Sequence, residues 1–486
     1  MRKAGLTLFL ITCIFHLYAQ HYVLFGTTYE GGSNNQGTIF SYDLSTSKEG
    51  VIYSLDATTG YSPNGQLTLG NNGLLYGVTS QGGKYNYGTL FNYNKYTGAL
   101  HVLYDFDSVH GSPSGDGPSV IQAKNGFFYG TTFSGGTYNV GVLYSYDSSK
   151  NSLTVLYNFD TIHGGWPSNE HLAEDTVHEI LYGLAAGGGK NQLGCLFSYN
   201  INTKQYSELL SFDDSTGGNA PGNDIYISAD SALYFMTCTK ARYRQGALNL
   251  YNIKTKHDSV VVNLSDSLGS APVANSMIHI YSGLLYGVIN SGGMYHPSNH
   301  DFYNGLIYSY NLATNNYSPV FLFDSANGAA PNGALIQNPS DSTLYGVTEL
   351  GGSSDEGVIF SYNTGTGMEK VIHNFSGIGD GSYPYAGLTL VNMNDSTMGV
   401  NNVKFSNSNI TVYPNPSNGL FTFQIQGANE KVQMDIYNIL GEQVYNKNII
   451  SESTQIDLSN QPKGLYLYRI TSEKGELIGN GKLVIQ

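Results

Sequence analysis

Short apolar runs, each ended by glycine, asparagine, aspartate or proline, recur along most of this chain. In one well-marked stretch the runs occupy residues 74–79, 89–93, 101–106 and 119–123, and each has the length of a β-strand. No run shows the spacing of an amphipathic helix. The pattern therefore predicts an all-β fold.

Seven copies of this four-run unit follow one another. Each contains a Leu-Tyr-Gly core or a close variant, and the cores begin at Leu24, Leu75, Phe128, Leu181, Leu233, Leu285 and Leu344. Successive cores lie 51 to 59 residues apart, and four strands in a unit of about 50 residues are typical of a β-propeller blade. A β-solenoid is the alternative, although its rungs are usually shorter. We expect a seven-bladed β-propeller over residues 21–400.

The units resemble kelch repeats, because a strand ending at a glycine pair is followed by a strand ending in Tyr-Asn or Tyr-Asp. They lack the tryptophan that usually opens the outer kelch strand. In closer detail they resemble the GloVer tandem repeats of secreted bacterial proteins. The matching features are the Leu-Tyr-Gly cores and the glycine pairs at 31–32, 82–83, 135–136, 187–188, 292–293 and 351–352. This resemblance implies a propeller and no established activity.

The kelch-like order of strands predicts the topology. The run after each proline-containing loop, such as 65–70 or 333–338, would be innermost, followed outwards by the Leu-Tyr-Gly, Tyr-Asn and Phe-Asp strands. Residues 22–55 then supply three strands of one blade, and residues 387–393 supply its inner strand. Such a closed ring leaves no open sheet edge.

Glycine and aspartate recur at fixed positions of the units. A glycine inside a strand usually marks the close approach of another group. We expect the glycine of Leu-Tyr-Gly to make room for rings from the adjacent blade, supplied by Phe40, Phe91, Tyr144, Phe197, Tyr308 and Phe360. The recurrent aspartates would either cap their own loop backbone or form a repeated cation site, and they are Asp56, Asp107, Asp160, Asp213 and Asp324.

A second module follows the repeats. A polar linker at 401–408 leads to alternating strands at 409–486, which predict a small β-sandwich. The sequences YPNPSNG at 413–419, VQMDIYNILGEQV at 432–444 and PKGLYLYRI at 462–470 resemble the type A C-terminal sorting domain of the type IX secretion system. That resemblance implies contact with the type IX machinery and export across the outer membrane, followed by surface attachment or release.

The N-terminus and the charge agree with export. A basic start and an apolar stretch at 6–17 end in the small residue Ala19, so residues 1–20 are predicted to be a secretory signal peptide that exports the chain to the periplasm. The net charge is −14. Residues 401–486 carry seven positive and seven negative groups, so the excess negative charge lies in the repeats and argues against a nucleic-acid partner.

Motifs that would name a reaction are scarce. The sequence has no Gly-x-Ser-x-Gly, no phosphate-binding loop, no His-Glu-x-x-His and no zinc-type cysteine spacing, and no cofactor is predicted. Two carboxylates from different blades can still meet in a propeller, so hydrolysis stays open. Cys195 and Cys238 lie on apolar strands of neighbouring repeats, and we interpret them as two buried thiols or as a disulfide.

Three departures from the repeat fall on one predicted face, formed by the loops between second and third strands and the loops that lead to the next blade. The fifth unit has a basic loop, the sixth an insertion, and the third a tryptophan. The candidate ligand-binding residues are Lys240, Arg242, Arg244, Tyr295, His296 and Trp166. This set suits an acidic glycan or another anion. The other interpretation is drift of the repeat, with Trp166 stacking on Pro167. His296, His300 and Asp301 are also considered as metal ligands.

The sequence favours a secreted or cell-surface protein that binds a glycan or a protein through its loop face and has no catalytic activity. An extracellular polysaccharide hydrolase or lyase is one alternative class. A structural component of the surface layer is another.

Overall fold

A computed structural model of the protein describes residues 20–115, 117–167, 172–213, 218–219, 222–240, 246–265, 267–270, 273–275, 277–279, 283–293, 304–377, 379–394, 410–425, 432–438, 443–449, 453–472 and 477–486. The chain divides into two compact units, Met1–Met398 and Gly399–Gln486. All regular elements among the described residues are strands, so the predicted all-β fold class is confirmed. A helix that could cross a membrane does not occur in these residues.

The first unit contains strands β1 to β33. In chain order they are β1 (Tyr22–Thr28), β2 (Thr38–Asp43), β3 (Lys48–Ser54), β4 (Thr68–Leu69), β5 (Leu75–Val78), β6 (Thr89–Asn94), β7 (Ala99–Asp105), β8 (Val120–Gln122), β9 (Phe128–Thr132), β10 (Val142–Asp147), β11 (Ser152–Asn158), β12 (Gly165–Pro167), β13 (Ala173–Asp175), β14 (Ile180–Gly187), β15 (Cys195–Asn200), β16 (Gln205–Ser211), β17 (Gly218–Asn219), β18 (Gly222–Asn223), β19 (Tyr226–Ile227), β20 (Ala232–Thr237), β21 (Thr239–Lys240), β22 (Ala247–Asn252), β23 (His257–Asn263), β24 (Val273–Asn275), β25 (Met277–His279), β26 (Leu284–Ile289), β27 (Leu306–Asn311), β28 (Asn316–Leu322), β29 (Ala329–Gln337), β30 (Thr343–Leu350), β31 (Val358–Asn363), β32 (Met368–Asn374) and β33 (Thr389–Asn392).

Seven antiparallel sheets are built from these strands, one for each sequence unit. From the first to the outer strand they are sheet I (β33-β1-β2-β3), sheet II (β4-β5-β6-β7), sheet III (β8-β9-β10-β11), sheet IV (β12 and β13 on β14, then β15-β16), sheet V (β19-β20-β22-β23), sheet VI (β25-β26-β27-β28) and sheet VII (β29-β30-β31-β32). Two further pairs of short strands, β17-β21 and β18-β24, are formed by residues that precede or separate the strands of sheets V and VI along the chain. The predicted order of strands within a unit is therefore the observed one.

Each sheet packs against the next one in sequence. Seven clusters of buried side chains join I to II, II to III, and so on, and the last joins sheet VII to sheet I through Val347 and Ile359 against Leu24 and Phe40. The second strands are largely buried, and β5 and β9 are buried along their whole length, because neighbouring sheets cover both of their faces. We call each of these contacts a junction.

The two ends of the repeat region meet in sheet I. β1 pairs with β33 from Tyr22 opposite Asn392 to Phe25 opposite Thr389. The sequence predicted this arrangement, in which the N-terminus supplies three strands and residues 387–393 supply the fourth. The pairing gives β1 hydrogen-bonded neighbours on both sides.

The glycine of Leu-Tyr-Gly accommodates an aromatic ring from its own sheet. In sheet II, Gly77 lies directly opposite Phe91 on the neighbouring strand, and a Cβ on Gly77 would lie 2.4 Å from Phe91 Cζ. The expectation that such rings come from the adjacent blade is therefore wrong. Directly opposed residues point to the same face of a sheet, so the ring folds across the glycine backbone of the next strand.

Sheet V reverses this pair. Phe235 stands where the other sheets have glycine, and Asn249 stands where they have the aromatic residue. Phe235 is fully buried, while the Asn249 amide donates hydrogen bonds to Thr237 Oγ1 and to the carbonyl oxygen of Ala247. One aromatic ring thus fills this position whether it comes from the second strand or from the third. This indicates that the space between the two strands is fixed.

A β-bulge in every outer strand lets it serve two junctions. In β32, Glu369 is opposite Tyr362, which belongs to the VI–VII cluster. After the bulge, His373 is opposite Ile359, which belongs to the VII–I cluster. Since a bulge shifts the facing of a strand by one residue, the first half of an outer strand faces the preceding sheet and the second half faces the following one.

Neither cysteine of the repeat region forms a disulfide, and both are buried. This confirms the interpretation of Cys195 and Cys238 as two thiols and excludes the disulfide. Burial raises the pKa of the Cys195 thiol to about 12, which keeps it protonated and poorly reactive.

The second unit contains two sheets. Its strands are β34 (Ile410–Tyr413), β35 (Leu420–Ile425), β36 (Val432–Asn438), β37 (Gln443–Ile449), β38 (Ser453–Asp457), β39 (Gly464–Ser472) and β40 (Leu477–Ile485), ordered β34-β35-β38 and β37-β36-β39-β40. One core takes Phe421 and Ile456 from the first sheet and Met434 and Ile470 from the second. The buried Asp435 is stabilised by the Arg469 guanidinium at 2.9 Å.

Replacing Gly77 by alanine tests the glycine–aromatic pair. Its Cβ would meet both Phe91 and Leu67, so we expect the free energy of unfolding to fall by about 1–3 kcal/mol in a urea titration. Gly50→Ala is the matched control, because Gly50 lies on β3 with no atom within 4 Å of the new Cβ, and it should change stability by less than about 0.5 kcal/mol. Adding Phe91→Leu to Gly77→Ala should recover part of the lost free energy of unfolding. Equal effects of Gly77→Ala and Gly50→Ala would refute the pairing.

Candidate functional site

The loops between second and third strands and the loops that follow the outer strands lie on one face of the first unit, which we call the loop face. Short bridges join the two sets at Glu30–Ser382, Tyr61–Gln81, Ser112–Ser134 and Ser270–Ser291. The predicted sharing of one face is thereby confirmed. Any ligand that binds this face meets side chains from both sets of loops.

A strained residue precedes a proline at four of the places where the chain enters a new sheet. Ser62, Trp166, Ala330 and Tyr383 have φ values of 53°, 51°, 51° and 55°, a region that residues other than glycine rarely adopt. Each of these residues donates its backbone N–H to a carbonyl oxygen of the preceding sheet's loop. The conformation is therefore held by the junction, and strain of this kind is often found at binding sites.

Trp166 occupies this strained position between sheets III and IV. Its ring lies over Gly187, and a Cβ added to Gly187 would lie 2.7 Å from Trp166 Cε3. Its backbone N–H donates to the Val140 carbonyl oxygen at 2.8 Å. The half-buried ring also packs against the III–IV cluster. The Trp166 ring therefore packs on Gly187 and on junction III–IV, and its part in ligand binding stays a prediction.

The other residues of the predicted site fall mostly outside the described residues. Arg242, Arg244, Tyr295 and His296 lie there, as do His300 and Asp301, which were considered as metal ligands. Lys240 belongs to β21, whose register pairs it with Gly218. A site built from the fifth and sixth units therefore stays a prediction.

Four of the recurrent aspartates, Asp56, Asp107, Asp160 and Asp324, cap their own loops. Asp107 Oδ1 accepts hydrogen bonds from the backbone N–H groups of Val109 and His110, and Asp160 does the same with Ile162 and His163. Burial alone would raise the pKa of Asp160, but the hydrogen bonds from His163 and Ile162 outweigh it and lower that pKa. This geometry supports the capping interpretation, because the loop backbone already supplies the partners of the carboxylate.

A depression of about 300 Å³ opens on the loop face at sheets VII, I and II. Three tyrosines, two carboxylates and several amides and hydroxyls line it, namely Tyr29, Tyr383, Tyr385, Glu30, Glu349, Asn64, Gln81, Ser80 and Ser114. Tyr29 donates its backbone N–H to the Tyr383 carbonyl oxygen at 3.1 Å, so loops from both ends of the repeat region hold the lining in place.

The depression is acidic. The carboxylates of Glu356 and Glu30, together with partial burial, raise the pKa of the Tyr383 hydroxyl. A neighbouring hollow of about 540 Å³ shares Glu30 and Tyr383 and adds Glu356. No lysine or arginine lines either hollow among the residues that the structure describes. This chemistry disfavours an anionic ligand and suits an uncharged, hydroxyl-rich one.

The sequence did not single out these residues. Tyr383 precedes Pro384 as Trp166 precedes Pro167, so aligning the units on this proline would have paired the two aromatic residues. Glu30 and Glu349 carry no comparable signal, because glutamate occurs at neither position in the other units.

Comparison with known proteins places the chain in a family. The family model of the Gloeobacter/Verrucomicrobia repeat matches residues 16–118, 108–300 and 295–413, so the chain belongs to the Gloeobacter/Verrucomicrobia repeat family. Residues 411–486 match the secretion system C-terminal sorting domain. The resemblance to the GloVer repeats and the resemblance to the type IX sorting domain are confirmed, while the likeness to kelch repeats stays a prediction. The sorting domain indicates secretion to the cell surface and an interaction with the type IX machinery.

No curated protein matches this sequence. Similar solved structures include a protein from Lactobacillus plantarum, 14% identical over 77% of this chain and 100% of that one, with a TM-score of 0.49. An oligogalacturonate lyase from Vibrio parahaemolyticus is 12% identical over 75% and 89%, with a TM-score of 0.43. PorZ, a surface component of the type IX system of Porphyromonas gingivalis, is 11% identical over 93% and 64%, with a TM-score of 0.43. Likeness at this level says nothing of the function of this chain.

Two substitutions at Asp160 separate a cap from a cation site. Asp160→Ala removes the acceptor of two backbone N–H groups, and we expect a loss of about 1.5–3 kcal/mol in the free energy of unfolding by urea. Asp160→Asn keeps an acceptor oxygen and should cost clearly less. If both variants lose the same stability, and calcium stabilises only the wild-type protein, the charge and a bound cation matter instead.

Proposed function

We propose that the seven sheets of the first unit are the blades of a seven-bladed β-propeller, and that the second unit is a β-sandwich. The support for the propeller is the unbroken series of junctions from sheet I to sheet VII and back, together with the pairing of β1 with β33. The support for the sandwich is its single core between two sheets. We keep the sequence boundaries of 1–20 for the signal peptide, 21–400 for the propeller, 401–408 for the linker and 409–486 for the sorting domain.

In this proposal the signal peptide directs the chain to the periplasm and the sorting domain directs it through the type IX system. The protein then presents the propeller outside the cell, either attached to the surface or released. This deepens the indication of surface secretion that comes from the sorting domain.

We propose that the propeller is a non-enzymatic binding module whose loop face takes an uncharged glycan. The carrying observation is the depression in which Tyr29, Tyr383 and Tyr385 stand beside Glu30 and Gln81. Aromatic rings supply apolar faces for the C–H faces of sugars, and carboxylates and amides bind hydroxyl groups. A protein ligand with an exposed, uncharged surface is the other candidate of this class. The basic loop with Lys240 would be a second, independent site for an anion.

A glycan array with the purified chain tests this function. Tyr383→Gly removes one ring and relieves the positive φ of the backbone, so we expect a folded protein that binds neutral glycans at least about tenfold more weakly. Ala330→Gly is the matched control, because Ala330 has the same kind of backbone at another junction and no ring, and it should bind like the wild type. Equal binding by both variants, or binding of acidic glycans alone, would contradict the proposal. The triple variant Lys240→Ala, Arg242→Ala, Arg244→Ala reports separately on the anion site.

A hydrolase is the second candidate, because Glu30 and Glu349 line the same depression and paired carboxylates are the usual apparatus of glycoside hydrolysis. Release of new reducing ends from a polysaccharide panel, abolished by Glu30→Gln, would replace the binding proposal with this one. A chain that neither binds nor cleaves any glycan or surface protein would point to the structural class.

Deleting residues 409–486 tests the export route. We expect the truncated chain to lose surface display and to accumulate inside the cell envelope, as measured by protease accessibility on intact cells. The full chain in the same strain is the control. Unchanged display of the truncated chain would show that the sorting domain is not required.

A further inference from the structure

The outer rim of each junction is formed by two side chains from neighbouring outer strands. The sixth residue of one outer strand faces forward, and the residues at this position are Tyr53, Tyr104, Tyr157, Leu210, Val262, Phe321 and His373. The second residue of the next outer strand faces back, and in the same order of junctions these are Leu100, Leu153, Tyr206, Asp258, Tyr317, Glu369 and Glu49.

Six of these rims contain at least one apolar or aromatic member. At junction III–IV, for example, Tyr157 and Tyr206 stack with ring centroids 3.8 Å apart. Junction VII–I alone has a carboxylate and a histidine at these two positions, Glu49 and His373, and Asp380 joins them from the following loop. The closing junction therefore departs from the repeat at the place where the others pack rings or aliphatic chains.

The three side chains converge. His373 Nε2 lies 3.2 Å from Asp380 Oδ2 and 3.9 Å from Glu49 Oε2. The Glu49 side chain is only 8% exposed, and its Oε1 has no hydrogen-bond partner among the described residues. A buried carboxylate oxygen without a partner is costly, so the site has an unmet demand for a cation or a donor.

The surroundings hold the group in place. Asp380 Oδ1 accepts hydrogen bonds from the N–H and the hydroxyl of Ser376, which leaves Oδ2 directed at His373. The His373 ring meets the edge of the Phe375 ring, with centroids 4.8 Å apart. Support of this kind fixes the orientation of ligating side chains. Burial, followed by the neighbouring Asp380 carboxylate, raises the pKa of Glu49 to about 7.

We propose that Glu49, His373 and Asp380 bind a divalent transition-metal ion of the zinc class. Their potential ligand atoms all lie within 4.8 Å of one another, and bonds of about 2.0–2.2 Å to a tetrahedral zinc ion place ligand atoms roughly 3.3–3.5 Å apart. One imidazole nitrogen with two carboxylate oxygens suits zinc, manganese or cobalt, whereas calcium and magnesium prefer oxygen alone. The fourth position would take water.

A metal ion at this site would connect the first and the last sheet of the repeat region. Glu49 lies on β3 of sheet I, His373 lies on β32 of sheet VII, and Asp380 lies in the loop after β32. The metal therefore links the first and the last repeat. The histidine–aspartate pairs Asp107–His110 and Asp160–His163 belong to no group of three within the described residues. The metal site is thus specific to the junction at which the ends of the repeat region meet.

Isothermal titration of the tag-free chain 20–486 with zinc chloride, after dialysis against a chelator, tests the site. We expect a binding step with a stoichiometry of one that Glu49→Gln and His373→Gln each weaken at least about tenfold. Glu369→Gln is the matched control, because the half-buried Glu369 also has a buried Oε1 without a partner and occupies the equivalent position of junction VI–VII, opposite Phe321 across that rim. That variant should bind zinc like the wild type.

Thermal unfolding with and without zinc gives a second readout. Zinc should raise the melting temperature of the wild type and of Glu369→Gln, and leave that of Glu49→Gln unchanged. Circular dichroism confirms that each variant is folded, and Glu49→Gln serves if His373→Gln does not fold. Zinc uptake or stabilisation that is the same in Glu49→Gln and in the wild type would overturn the proposal.

Discussion

The pairing of β1 with β33 is the constraint on which the rest of the first unit depends. It joins residues at the two ends of the repeat region through four opposed pairs, and it brings sheet VII against sheet I. Closing so long a loop costs conformational entropy, although that cost grows only slowly with length. Buried contacts of the closing junction, such as those of Phe40 with Phe375, offset it. Without this pairing β1 would present an open edge, which invites association with other chains.

The depression and the metal site both lie at this closing junction, although they use different parts of it. The depression is formed on the loop face, where Glu30 bridges to Ser382, and the metal ligands lie at the outer rim, where Glu49 meets His373. At the other junctions each unit packs against a near copy of itself, so the same rings and aliphatic chains serve repeatedly. The closing junction joins the first copy to the last, and its side chains depart from the repeat on both faces.

Strand order and closure could be predicted because they follow from the spacing of apolar runs and the order of units. The aromatic partner of the Leu-Tyr-Gly glycine could not be predicted. Alternation along a strand shows which face an aromatic side chain occupies, but not whether that side chain packs on its own sheet or on the adjacent one. The bulge in each outer strand has no sequence signature, so the facing of Glu369 and His373 into different junctions was hidden. The ligands Glu49 and Asp380 are too distant in sequence to form a motif, and they become visible only once the ring is closed.

The strained position before a proline, found at four of the junctions, explains how the first unit can vary its surface without losing its fold. Its backbone is fixed by a hydrogen bond to the preceding sheet and by the proline that follows, as at Ala330 and Tyr383. The side chain contributes little to this fixation, because alanine, serine, tyrosine and tryptophan all occupy the position with nearly equal φ. At this position the backbone contacts that stabilise the fold are therefore independent of the side chain that faces a ligand. Tyr383 lines the acidic depression for this reason, and a change of ligand would require new side chains at such positions rather than a new scaffold.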